Sequence, residues 1–216
     1  MAARERLLAE IRKRQGKPDG PQAAEITAVR SYIDAHTRSA GPRDAWELYE
    51  RFRERALSLA STIEDVSSLA EVPRRIAAFL REHDLPLQAV CWPRLQPLAW
   101  EANGVAVEAR AARAEDLVGI TGAFCGISET GTLVTLSGPD TSPSMSLLPE
   151  THIAILERGR IVRSMEDAWA LLRREHGAMP RAVSFISGPS RTADIEQTVT
   201  LGAHGPYRVH ILVVAS

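Results

Sequence analysis

From Thr62 onward the sequence switches repeatedly between two hydrophobic periods, and this alternation restricts the fold more than any other feature. Short apolar runs of β type occur at Gln88–Trp92, Gly104–Glu108, Thr132–Leu136, His152–Leu156, Ala182–Ile186 and Val209–Val214. Turn formers separate some of them, and two helical stretches, Leu69 to His83 and Met165 to Glu175, separate others. Strands interleaved with helices bury both faces of a sheet and bring successive strands in from the same direction. The pattern therefore predicts an α/β fold: a largely parallel open sheet with helices on both faces.

The residues before Thr62 follow a helical period throughout. Leu7, Leu8 and Ile11 form a short stripe among charges, and the turn-forming run Gly16 to Pro21 interrupts it. A second helix is expected over Ala23 to His36. A third follows Gly41-Pro42, with Trp46, Tyr49, Phe52, Ala56 and Leu59 on one side. The division expected is a helical segment over residues 1–60, packing on an α/β domain over residues 61–216. With 216 residues, 44% of them hydrophobic and 25% charged, the chain can fill one substantial core.

Charge and cysteine usage exclude several classes of function. The 26 basic and 27 acidic residues leave a formal charge of -1, which gives no global reason to expect nucleic acid as a partner. Cys91 and Cys125 stand far apart and outside any CxxC pattern, so neither a four-thiolate cluster nor a structural zinc site is expected within one chain. The N-terminus, Met-Ala-Ala-Arg-Glu-Arg, lacks the apolar core of a signal peptide, and no stretch approaches the roughly 20 apolar residues of a membrane span. A cytoplasmic location without a membrane span is the expectation.

Two segments place glycines and polar groups directly beside apolar strands. In the first, Gly119 to Thr132, the groups Ser128, Glu129, Thr130, Gly131 and Thr132 offer hydroxyls, a carboxylate and a close-approach backbone. It matches no common phosphate signature and equally suits a structural hairpin. In the second, Ser187, Gly188, Ser190 and Arg191 follow a strand and lead into a helix expected to begin near Thr192, with Asp194 in its first turn. That order would set backbone N–H groups and a helix N-terminus at the strand's carboxyl edge, with Arg191 available to clamp a carboxylate or phosphate. Asp194 and Glu196 equally suit a capped helix without a ligand. His204, between Gly202 and Gly205, is the leading acid, base or ligand-contact histidine, and His152 the second. Neither serine sits in a GxSxG elbow, and no His, Asp or Glu pair has a diagnostic metal spacing, so a hydrolase triad and a metal site rest on residue types alone.

Three motifs in order, Ser128-Glu-Thr-Gly-Thr132, Ser146-Leu-Leu-Pro-Glu-Thr-His-Ile153, and Ser187 to Glu196 continuing to Gly202-Ala-His-Gly-Pro206, resemble those of the LUD domain family over roughly residues 60–216. The resemblance implies a fold similar to that of the sugar-phosphate isomerases, CoA transferases and formyltetrahydrofolate cyclo-ligase. It also implies a part in oxidising L-lactate to pyruvate beside partner proteins that carry the iron–sulfur centres, this chain holding no cofactor. It assigns no catalytic residue. Two readings stay open: a non-redox subunit of a lactate-oxidising system, and an autonomous isomerase- or transferase-like enzyme using Glu129, with Arg191 holding a small anion.

Overall fold

The structure, a computed structural model, describes residues 3–17, 20–38, 41, 45–192 and 200–215. The chain divides into two compact units, Met1–Arg43 and Asp44–Ser216. The first contains α1 (Ala3–Arg14) and α2 (Ala23–Ala35), neither of which buries a residue. Ile26, Val29 and Ile33 form an exposed stripe along α2 at helical spacing.

The second unit opens with α3 (Leu48–Ser58), β1 (Thr62–Val66), α4 (Val72–Glu82), β2 (Gln88–Cys91), β3 (Ala106–Glu108) and β4 (Val118–Gly122). It continues through β5 (Cys125–Ile127), β6 (Thr132–Leu136), β7 (Thr151–Glu157), β8 (Ile161–Val162) and α5 (Met165–Glu175). Last come β9 (Val183–Ile186), β10 (Arg191–Thr192), β11 (Thr200–Leu201) and β12 (Arg208–Val214). Six strands form the main sheet in the order β1-β12-β7-β4-β2-β3, and every neighbouring pair is parallel. A second sheet, β8-β5-β6-β9, is mostly antiparallel, and β10 and β11 make a short antiparallel ribbon.

The period-2 alternation of the central strands sorts their side chains between two cores. Ile153, Ile155, Leu212 and Val214 face α4, where Ile76, Phe79 and Leu80 meet them. Ala154, Leu156, Ile211 and Val213 face the other way, onto Phe52 and Ala56 of α3 and Leu133 of the second sheet. Helices thus cover both faces. The fully buried Phe52 ring contributes on the order of 1.5–3 kcal/mol by leaving water. Helix α5 lies on the second sheet through Ala168 and Leu171, and its start is fixed by Ser164, whose Oγ accepts from the Asp167 N–H at 3.3 Å.

The parallel α/β architecture is the one the alternation predicts. The expected helix near Thr192 is not found where the chain is described: Arg191 and Thr192 pair as strand β10 with Leu201 and Thr200. The remainder of that expected helix, Asp194 included, lies outside the described residues. Among the described residues no helix is long and apolar enough to cross a membrane.

Candidate functional site

The first and third motif segments meet around the end of α3. In the turn between β5 and β6, the Gly131 N–H donates to the Ile127 carbonyl at 2.9 Å and Gly131 takes φ +68°. A Cβ on Gly131 would stand 2.4 Å from the Ala56 backbone nitrogen, so only glycine lets this turn press against α3. Ser128, fully buried, accepts from Trp46 Nε1 at 2.9 Å and donates to the Arg163 carbonyl at 3.2 Å. Thr130, Thr132 and Ser187 form a chain of hydroxyls with successive Oγ separations of 2.7 Å. Glu129 is half-buried, and its backbone N–H donates to Arg163 O at 3.0 Å.

The Ser187 loop reaches the same helix end. Gly188 has φ +84°, and a Cβ there would come within 2.4 Å of the Leu59 carbonyl oxygen. Arg191 Nη2 donates to that carbonyl at 3.2 Å, placing a cation on the negative end of α3. The Ser190 N–H donates to Pro206 O, and the Gly202 N–H donates to Ser190 O, both at 2.9 Å, which tie the loop to the His204 segment.

Leu59 precedes β1 and Pro206 precedes β12, so these segments gather at the amino edge of the parallel sheet. This corrects the carboxyl-edge placement expected from the sequence. The loop does follow a strand's carboxyl end, but that strand is β9, which belongs to the second sheet and pairs antiparallel with β6.

An open cleft of about 660 Å³ lies here, lined by Leu147, Leu148, Glu150, Tyr207 and the residues from Gly202 to Gly205. His204 is exposed in it, whereas Glu129 and Arg191 are not among its lining residues. Tyr207 was not singled out by the sequence, and Leu147, Leu148 and Glu150 were visible only as part of a motif. His152 is elsewhere: fully buried within β7, with Nε2 2.8 Å from Thr121 Oγ1 and Nδ1 without a partner. Burial lowers its pKa to about 4, so it is neutral and sealed from substrate at neutral pH.

No cluster of three or more His, Cys, Asp or Glu able to hold a metal ion occurs among the described residues. Cys91 and Cys125 are buried, free, and in different core clusters. Desolvation pushes their thiols up to about 11 and about 12, so both are protonated at neutral pH.

The motif segments that build this edge fall within a longer match. The profile of the LUD domain covers residues 51–214, which takes in most of α3 and every strand. The chain belongs to the LUD domain family. Among LUD relatives, lactate utilization protein C of Bacillus licheniformis is 35% identical over 127 residues, 57% of this chain and 53% of the relative. The protein of that name from Bacillus subtilis is 35% identical over 128 residues, with the same coverage of both chains. The aligned region thus spans about half the length of these curated relatives. A crystal structure of a DUF162 family protein from Deinococcus radiodurans superposes with a TM-score of 0.58 over 80% of this chain and 99% of the other, at 24% identity, which shows a shared fold.

Proposed function

We propose that this LUD chain is a non-redox subunit of a bacterial lactate-utilisation system, supporting the oxidation of L-lactate to pyruvate. The observation that carries the reading is the family match over residues 51–214 in a chain 35% identical to proteins named lactate utilization protein C. Oxidising lactate removes two electrons and two protons. The chain's own groups do not take up those electrons: its two thiols are protonated, buried and in separate clusters. A redox partner or cofactor is therefore the acceptor, and the family resemblance makes that partner a protein with iron–sulfur centres, in the cytoplasm. The amino-edge cleft falls within the size range of small-molecule sites and is the proposed contact for a small carboxylate or phosphate, with His204 as its acid or base. The Arg191 loop is tied to this cleft through the Ser190 hydrogen bonds to Pro206 and Gly202.

Anaerobic co-purification with native partners, followed by lactate-oxidation assays with and without this chain, tests the reading. Omitting the chain is expected to lower the rate at least tenfold, while the isolated chain carries less than one iron. Equal rates in both assays would sink the proposal.

A further inference from the structure

The order of the six-stranded sheet reverses between β2 and β4. From β2 the chain passes outward to β3, and from β4 it passes the other way, to β7. The connection after β4 first leaves on the face opposite to that after β2, before Met145 returns to the core beneath α4. Leu95 and Trp100, after β2, pack into the core beneath α4, whereas Leu133, after β4, packs into the core beneath α3. Neighbouring strands whose connections part in this manner open a crevice beyond their carboxyl ends, the usual ligand position in open α/β sheets.

Arg94 occupies the mouth of that crevice. Its guanidinium lies on Gly122, the last residue of β4, so closely that a Cβ there would stand 1.6 Å from Nη2. The guanidinium carbon is 5.3 Å from the centroid of the Trp92 ring. Among the described residues no acceptor takes a hydrogen bond from this guanidinium. The side chain is exposed and only partly desolvated, which lowers the arginine's pKa, while Glu157, at the end of β7, attracts it through space without closing an ion pair. Trp92 is only 5% exposed, yet its Nε1–H also lacks an acceptor. Buried donors are nearly always satisfied by protein, water or ligand. The Trp92 Nε1–H is such a buried donor, and over the same ring the exposed Arg94 presents a guanidinium without a hydrogen-bonded acceptor, a cation at the sheet's switch point that suits an oxyanion.

We propose that Arg94, resting on Gly122 and Trp92, binds the carboxylate or phosphate group of a small metabolite in the crevice between β2 and β4. A guanidinium fork matches two oxygens of either group. Gly122 is required because any side chain would occupy the space of the fork. The site lies at the opposite edge of the sheet from the His204 cleft and does not rest on the lactate reading.

Titrating the full chain with L-lactate and, separately, with inorganic phosphate tests the site, by calorimetry and by tryptophan fluorescence at low ionic strength. The wild type is expected to bind at least one of them, and whichever binds more tightly names the group. Arg94→Gln should weaken that binding at least tenfold, and Arg94→Lys by less. Gly122→Ala should weaken it comparably with Arg94 still present, since the new methyl displaces only the mobile end of the arginine and leaves the thermal midpoint within a few degrees. Failure of the wild type to bind either anion would overturn the proposal, and so would an unchanged affinity in Arg94→Gln.

Discussion

His152 and His210 are the residues at which burial most directly sets a response to pH. Both are held neutral, with pKa values lowered from 6.5 to about 4. For His152 the cause is desolvation alone. For His210 desolvation leads, and the charges of His83 and Arg75 add to it, Arg75 also neutralising the nearby Glu64. Its ring stacks on Phe79 at 3.9 Å, and Nδ1 lies 2.8 Å from Thr62 Oγ1. Because the folded pKa is depressed, the unfolded chain takes up protons first as the pH falls. The contribution of these two histidines is therefore fully present above about pH 6.5 and is lost between there and about pH 4, by up to about 1.4 kcal/mol per pH unit for each. Urea unfolding at pH 7, 5.5 and 4.5 should show this slope, and His152→Gln should flatten it relative to wild type. Parallel slopes for the two proteins would show that His152 does not drive the loss.

At the scale of elements, α3 is the piece that the motifs hold in place. Gly131 and Gly188 let two loops touch its last turns, and Arg191 bonds the Leu59 carbonyl. Arg191→Ala is expected to cost about 0.5–1.5 kcal/mol of stability, the usual net worth of one hydrogen bond, read as a lower thermal midpoint. A lowered anion affinity with an unchanged midpoint would instead assign Arg191 to ligand binding alone. These contacts also explain which parts of the fold the sequence announces. Strands such as β7 and β12 are legible because each holds a continuous buried apolar run, Ile153–Leu156 and Ile211–Val214, and α5 because it has a capping box and an apolar stripe. Strand β4 hides in the sequence: Gly119, Thr121 and Gly122 resemble a loop, although all five of its residues are buried. Strand β1 hides behind Glu64 and Asp65, being an edge strand with one paired side. The motif segments are visible one by one, but the edge at which they meet depends on which sheet β9 joins. That is decided by its pairing with β6 and leaves no local trace.

At the scale of the whole molecule, the contact division and the absence of buried residues in α1 and α2 give one expectation. A chain beginning at Asp44 should unfold cooperatively with a midpoint close to that of the full chain. A large drop, followed by calorimetry, would show that the first unit supports the second. The sheet order carries a different consequence, for synthesis. Strand β1 meets its neighbours only through β12, with Thr62 opposite His210 and Val66 opposite Val214. At about 5–20 residues per second, roughly seven to thirty seconds separate the emergence of these two strands from the ribosome. During that interval β1 has no hydrogen-bonding partner, and β7 is paired only on the β4 side. The nascent chain thus waits with two unsatisfied strand edges, the state in which chaperones and aggregation compete for it, until one late strand slots between them and closes the sheet in a single step.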